Sequence, residues 1–261
     1  MTRLLLPLLL FFVGIQALAQ PVKNLPTQLT LAATDWCPFS CVPSNSPKQP
    51  GIISEYLDQL LQQHNISLNI KFLPWSRALV EANNGSVDGL LTVVPEESNH
   101  LLLPKTPTAY YTDCFFVRPS EIWRYGDHRS LDQVNIAYVQ DYGYNEPLHS
   151  HIRSADNTAR VFEVSGADPG RRMVQLVLAG RADAMVEERL VAAWAQKQAT
   201  KKLGQPHSLK AAGCLNSNPF YLAISPDLPA SKELLQLFDR ILKQPENLQL
   251  LRKITQSYLA D

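Results

Sequence analysis

Strand and helix patterns alternate along the first part of the chain. Apolar runs or apolar–polar alternation predict strands, and apolar residues at spacings of three and four predict amphipathic helices. The predicted strands span 28–33, 68–72 and 87–94, and the predicted helices span 52–61 and 75–82. The second helix ends at Asn83-Asn84-Gly85, where glycine can take the left-handed conformation that closes a helix. The pattern therefore predicts a β–α–β–α–β unit.

The same order of elements recurs in the second part. Predicted strands span 134–139, 159–164 and 182–186, and predicted helices span 146–153 and 171–179. Gly180-Arg181-Ala182-Asp183-Ala184 repeats the pattern of Gly85-Ser86-Val87-Asp88-Gly89 at the matching helix-to-strand turn. A last strand at 220–224 and two amphipathic helices follow, and these helices must pack on an existing lobe. We therefore predict an α/β protein with two mainly parallel sheets and right-handed crossovers.

The N-terminal residues predict export. Met1-Thr2-Arg3 is followed by an apolar run from Leu4 to Ile15 and by Ala17-Leu18-Ala19, the small-residue pattern of a cleavage site. We expect a signal peptide at 1–19, because the run is shorter than the roughly 20 apolar residues that cross a bilayer. The chain has 24 Lys+Arg and 24 Asp+Glu, so its formal charge is zero, which argues against a polyanionic partner such as nucleic acid.

Export changes the interpretation of the four cysteines, because an even number in an oxidising compartment suggests disulfides. Four cysteines allow three pairings. Cys37 and Cys41 lie four apart around Pro38, so a local bridge would be easy to close, and Cys114 would then pair with Cys214. Four free buried thiols are the alternative, and the spacing is a poor match to a zinc site.

Several motifs together resemble the bacterial extracellular solute-binding proteins of family 3, the periplasmic receptors of polar amino acid importers. The resemblance covers nearly the whole chain after the signal peptide. It rests on these segments in order: Ala33-Thr34-Asp35-Trp36-Cys37-Pro38-Phe39, Gly51, Pro74-Trp75-Ser76-Arg77-Ala78-Leu79 with Gly85-x-x-Asp88, Leu103-Pro104 to Tyr110-Tyr111, Gly180 to Ala184, and Tyr221-Leu222-Ala223-Ile224-Ser225.

This resemblance implies two α/β lobes joined by two hinge strands, which close over a ligand. Lobe 1 would comprise 20–112 and 215–261, and lobe 2 would comprise 113–214. The resemblance implies a periplasmic monomer that captures a small polar solute, an amino acid or related compound, for an ABC-type permease of the inner membrane. It also implies that Cys114 and Cys214 lie just past the two hinge crossings, close enough to bridge.

One departure from the family concerns the ligand's carboxylate. Amino acid receptors of this family usually carry an arginine after the strand that follows Gly-x-x-Asp, but here the segment is Thr92-Val93-Val94-Pro95-Glu96-Glu97-Ser98. Either Arg77 contacts the anion, or the ligand is not an ordinary α-amino acid. The acidic partner for the ligand's amino group would be Glu188 or, less favoured, Glu187.

Nine residues are candidates for ligand contact. Most of them follow predicted strands, where α/β folds bind ligands, or lie near the hinge. The candidates are Trp36, Phe39, Trp75, Arg77, Thr92, Tyr111, Tyr142, Tyr144 and Glu188. For Trp36, Phe39, Trp75 and Thr92 the alternative is simple packing, and for Arg77 it is a surface ion pair.

Common catalytic and cofactor motifs are missing from the sequence, including Gly-x-Ser-x-Gly, His-Glu-x-x-His and Gly-x-Gly-x-x-Gly. We therefore expect neither an enzyme nor a bound cofactor or metal. Two alternatives stay open. One is a dehydratase-like enzyme of the same fold with a carboxylate acid or base, and the other is a ligand-sensing input for a membrane sensor.

Overall fold

The computed structural model describes residues 25–44, 48–166, 168–203 and 209–259. The predicted signal peptide at 1–19 lies outside these residues. The described chain folds into two lobes, each built on one five-stranded sheet.

Lobe 1 contains the first part of the described chain, up to Tyr111, and its C-terminal part. Its elements are β1 (Gln28–Ala33), α1 (Ile52–Gln62), β2 (Ser67–Phe72), α2 (Trp75–Asn83), β3 (Gly89–Val93), a 3₁₀ turn (Pro95–Glu97), β4 (Ala109–Tyr111), β10 (Asn218–Ile224), α6 (Ser231–Ile241) and α7 (Pro245–Leu259). The strand order is β2-β1-β3-β10-β4. Helices cover both faces of the sheet, since α2 packs with Ala32 and Leu90 while α1, α6 and α7 pack with Leu31 and Leu91.

Lobe 2 is formed by the chain between the two crossings. Its elements are β5 (Asp113–Val117), a 3₁₀ helix (His128–Gln133), β6 (Ile136–Val139), α3 (Leu148–Arg153), a 3₁₀ turn (Ala155–Asn157), β7 (Val161–Val164), α4 (Pro169–Leu178), β8 (Ala184–Glu188), α5 (Arg189–Leu203) and β9 (Lys210–Cys214). The strand order is β7-β6-β8-β5-β9.

Both sheets are mixed, and one strand in each runs against the other four. That strand is β10 in lobe 1, which pairs antiparallel with β3 and β4, and β5 in lobe 2, which pairs antiparallel with β8 and β9. Each reversed strand is the first that the chain forms after it crosses between lobes, at Thr112 and at 215–217. The predicted two-lobed α/β architecture with two connecting segments is confirmed.

Helix α5 lies between β8 and β9 of lobe 2 in the sequence but packs on lobe 1. Leu190, Val191 and Trp194 contact the lobe 1 core, and the Trp194 ring lies 6.0 Å from the ring of Tyr258 in α7. The boundary that we predicted for lobe 2, 113–214, therefore includes a helix whose packing belongs to the other lobe.

Two disulfides are present, and no described cysteine is free. Cys37 pairs with Cys41, and Cys114 pairs with Cys214. The second bond joins residues that lie directly opposite each other on β5 and β9, immediately beside the two crossings. It therefore ties together the two strands at which the chain enters and leaves lobe 2.

Candidate functional site

A cleft between the two lobes lies where the strands of both sheets end. Its wall combines residues at or just past the ends of β1, β3, β6 and β8 with residues of β4, β5 and β10 beside the two crossings and with the first residue of α2. The lining residues are Thr34, Trp36, Trp75, Thr92, Val93, Val94, Glu97, Tyr111 and Phe220 from lobe 1, and Asp113, Tyr142, Gly143, Tyr144 and Glu187 from lobe 2.

Aromatic rings form much of the lobe 1 wall. Trp36 follows β1 and stacks on Phe39 with ring centroids 4.5 Å apart, and both rings meet the edge of Phe220 on β10. Phe39 is only 3% exposed and does not line the cleft. Phe39 therefore holds the Trp36 ring in place from behind, which differs from the predicted direct contact.

Trp75 connects the two lobes. It begins α2, and its indole N–H donates to the backbone oxygen of Asp141 in lobe 2 (2.9 Å) and to Oε1 of Glu97 (3.0 Å). The next residue, Ser76, donates its hydroxyl to the Asp141 carboxylate at 2.5 Å. The first turn of α2 is therefore bonded to the loop after β6.

Gly143 allows the lobes to approach closely. A Cβ atom at this position would lie 2.1 Å from Cγ2 of Val94 and 3.0 Å from Cδ of Glu97, both in lobe 1. Its backbone oxygen accepts a hydrogen bond from the Tyr111 hydroxyl at 3.3 Å. Since a side chain at this position would clash with lobe 1, the observed separation of the lobes requires glycine.

Three carboxyl groups line the cleft. Burial raises the pKa of Glu97 to about 7, although hydrogen bonds from Trp75 and from the backbone of Val94 and Gly143 oppose the increase. Burial likewise raises the pKa of Glu187 to about 7. The pKa of Asp113 is raised well above its ordinary value, first by burial and then by the nearby acids Glu187, Glu188 and Glu97. At neutral pH the wall therefore holds carboxyl groups that resist ionisation.

Glu188 lies behind the cleft and not in its wall. Its carboxylate accepts hydrogen bonds from the backbone N–H groups of Leu190 and Val191 at the start of α5 and of Thr112 at the crossing. Side chains alternate along a strand, so Glu187 and Glu188 at the end of β8 point in opposite directions. Glu187, the less favoured candidate, is therefore the glutamate that faces the cleft.

Arg77 lies outside the cleft. Its side chain is 70% exposed, and its Nε donates to Glu81 one turn further along α2 at 3.2 Å. The residues at i and i+2 of a helix face different directions, so Trp75 and Arg77 cannot both point into the cleft. The structure thus places Arg77 in the surface ion pair and not at a ligand's carboxylate.

The structure brings six of the nine candidate residues together in the cleft wall, namely Trp36, Trp75, Thr92, Tyr111, Tyr142 and Tyr144. Glu97, Asp113 and Phe220 were not among the candidates. Glu97 stands just past the end of β3, a position that the strand-end rule could have indicated. No local pattern marks Asp113, because its place in the wall depends on the crossing between the lobes.

Two general features of the described residues bear on the kind of site. Within the described ranges no helix is long and apolar enough to cross a membrane. The same residues contain no group of three or more histidine, cysteine, aspartate or glutamate side chains arranged to hold a metal ion.

Comparison with solved structures identifies the architecture. A histidine kinase sensor domain with similarity to periplasmic binding proteins superposes with a TM-score of 0.72 at 14% identity, covering 89% of this chain and 96% of that one. The fold is that of a two-lobed periplasmic binding protein. An ancestral arginine-binding protein bound to arginine gives a TM-score of 0.71 at 16% identity, with coverage of 91% and 100%.

A third similar structure is AncCDT-1, an ancestral amino acid-binding protein and precursor of cyclohexadienyl dehydratase, with a TM-score of 0.66, 19% identity and coverage of 89% and 95%. No protein-family model matches the sequence, and no curated protein matches it. The similar structures thus include a sensor domain, a binding protein and the precursor of an enzyme. At these identities the likeness establishes the periplasmic-binding-protein fold and leaves the ligand to be argued from the cleft.

Proposed function

We propose that the chain is a periplasmic receptor that binds a small solute in the cleft between its lobes. The observation that carries this proposal is that both lobes contribute side chains to one aromatic and acidic cleft: Trp36, Trp75 and Glu97 from lobe 1, and Tyr142 and Glu187 from lobe 2. A ligand that contacts both walls stabilises the closed arrangement over an open one, which is how such a receptor reports occupancy.

The test uses the chain from residue 20 onward, unfolded and refolded to remove any bound compound. Native mass spectrometry before this step reports a co-purified small molecule, and a thermal-shift panel of amino acids, amines, polyamines and organic acids follows it. We expect at least one compound to raise the melting temperature and to reduce the radius of gyration measured by X-ray scattering. A chain that carries no compound and responds to none of the panel would contradict the proposal.

Gly143→Ala provides a specific control for the cleft. The added methyl group would collide with Val94 and hinder closure, whereas the fold of each lobe needs no change. Gly126→Ala is the matched variant in the same lobe, because a Cβ atom there would meet nothing within 4 Å. The proposal expects the ligand response to be lost in the first variant and kept in the second.

For the partner, we propose an ABC-type permease of the inner membrane, with the receptor acting as a monomer. The support is the resemblance of the motifs at 33–39 and 74–79 to importer receptors. A membrane sensor would use the same closure. Deletion of the gene followed by uptake of the labelled ligand distinguishes the two, since loss of uptake supports the permease, and unchanged uptake with altered gene expression supports the sensor.

The raised carboxyl pKa values favour one second candidate, an acid–base enzyme. Glu97 and Glu187 both have a pKa of about 7, which suits proton transfer near neutral pH. Incubation of each ligand found above with the protein, followed by NMR, tests this function. Conversion that is lost in Glu187→Gln would establish the enzyme, and an unchanged ligand would retain the receptor.

A further inference from the structure

The cleft wall has an unbalanced set of ionisable groups. Glu97, Asp113 and Glu187 line it, and among the described residues no lysine, arginine or histidine does so. Buried acids are ordinarily paired with a cation or fully hydrogen-bonded, because an unpaired buried charge is costly. The described wall itself therefore supplies no cation to balance these groups.

Of the three acids in the wall, Asp113 has the fewest hydrogen-bond donors among the described residues. It opens β5 at the first crossing and is 6% exposed. No described residue donates a hydrogen bond to its carboxyl group, whereas Glu97 accepts one from Trp75 and Glu187 accepts one from the backbone N–H of Glu188. A buried carboxyl group that faces the cleft without a donor has its partner in whatever occupies the cleft.

The indole N–H of Trp36 is a second polar group in the cleft wall whose hydrogen bonding is incomplete. It is buried and makes no hydrogen bond of good geometry to a described residue, although it lies near enough to Glu187 to lower the pKa of that carboxyl group. Trp36 belongs to lobe 1 and Glu187 to lobe 2, so this contact spans the cleft. Because an indole N–H donates and cannot accept, it serves the ionised Glu187, and the remaining oxygen positions of that carboxylate are left to a ligand.

Aromatic rings complete the wall. Trp36, Trp75, Tyr111, Tyr142 and Phe220 all line the cleft. Aromatic faces attract organic cations through their negative quadrupole and also pack against an apolar body. The negative faces of these rings offer little to an anionic group on the ligand.

We propose that the receptor's ligand is an organic cation, with at least one amine or guanidinium group on an apolar body and without a carboxylate. This inference rests on the proposed receptor function and specifies its ligand class. The cationic group would lie against Asp113 and Glu187, and the apolar body against the aromatic rings. A zwitterionic amino acid would place its carboxylate among three acids with no basic side chain in the described wall to receive it.

Paired ligands that differ only in the carboxylate test this class. Isothermal titration calorimetry at pH 7.5 would compare agmatine with arginine, tyramine with tyrosine, and cadaverine with lysine. We expect the tightest compound to be a decarboxylated one and to bind at least about tenfold more tightly than its amino acid. An amino acid or organic acid that binds as tightly as the amines would overturn the cationic class and leave the receptor function intact. A failure of every compound, neutral ones included, would overturn both.

Two variants connect the ligand class to particular residues. Asp113→Asn and Glu187→Gln keep the side-chain shape and remove the charge, so each should weaken binding of the preferred amine at least about tenfold. The control is Glu163→Gln, which changes an exposed glutamate of β7 in the same lobe. Melting temperatures of the unliganded variants at least equal to that of the native chain would exclude a loss through misfolding. Unchanged amine affinity in both variants would refute the assignment of these acids.

Discussion

Replacement of Glu187 by glutamine should make the unliganded protein more stable at high pH. The side chain is buried at the end of β8, and burial raises its pKa from an ordinary value of 4.5 to about 7. Between these values the folded chain keeps a proton that the unfolded chain has released, so stability falls as the pH rises through this range and is constant above it.

The magnitude follows from the same two values. Their difference, at about 1.4 kcal/mol for each pH unit, corresponds to about 3 kcal/mol of folding free energy lost between pH 4.5 and pH 7. Glutamine cannot ionise, and its side-chain oxygen can still accept the bond that Glu187 receives from the backbone N–H of Glu188 at 2.9 Å. The variant should therefore lie within about 1 kcal/mol of the native chain at pH 5 and exceed it at pH 8 by about 3 kcal/mol.

Thermal unfolding of the unliganded protein at pH 5 and pH 8 measures this difference. For a chain of this size about 3 kcal/mol corresponds to a rise in Tm of about 6–12 °C at pH 8. Glu163→Gln, which alters an exposed glutamate in the same lobe, should change neither value appreciably. If Glu187→Gln lowered Tm equally at both pH values, Glu187 would be stabilised as an anion and the reasoning would be wrong.

Three further changes test, in this order, the contact between the lobes, the disulfide beside the two crossings, and Gly143. Trp75→Phe removes the donor that reaches Asp141 and should enlarge the radius of gyration of the unliganded protein in X-ray scattering. Replacing Cys114 and Cys214 by serine opens a connection of 100 residues and should cost about 5 kcal/mol in denaturant unfolding. Gly143→Ala should weaken ligand binding at least about tenfold in calorimetry, without lowering Tm of the unliganded chain.

Each of these changes has a matched control, which for Gly143→Ala is Gly126→Ala. Trp123→Phe removes an indole donor that bonds Ser130 within lobe 2, so it should leave the radius of gyration unchanged. Serine at both Cys37 and Cys41 opens a separation of only four residues and should cost about 2 kcal/mol. Equal effects in a variant and its control would show that the change acts on general stability and not through the crossing or the contact between lobes.

Periodicity in the sequence was sufficient to predict the main strands and helices of both lobes. The strands β1, β3, β6 and β8 are buried and rich in aliphatic residues, and α1 carries a continuous apolar stripe. Helix α5 was not predicted, because its apolar residues do not form a clear stripe along the helix. The short strand β4 spans only three residues, too few for an alternating pattern to be visible.

The site was predictable where it depends on single strands and not where it depends on both lobes. Trp36 and Tyr142 follow β1 and β6, and the rule that ligands bind beyond the ends of strands was enough to select them. Asp113 faces the cleft because the chain crosses between lobes at Thr112, and Arg77 faces away because α2 presents Trp75 instead. Neither orientation follows from local sequence alone.

Through the acids of the cleft, ligand binding and pH act on the same equilibrium, the one between open and closed lobes. Closure buries Glu97, Asp113 and Glu187 between the lobes, and burial favours their protonated forms. In the absence of a ligand the closed arrangement is therefore more favourable at low pH, where these groups hold their protons. An organic cation in the cleft would compensate the ionised acids directly and so favour closure at higher pH. On the proposed mechanism, protons and ligand act as alternative partners for the same carboxyl groups, and ligand binding near neutral pH should release protons.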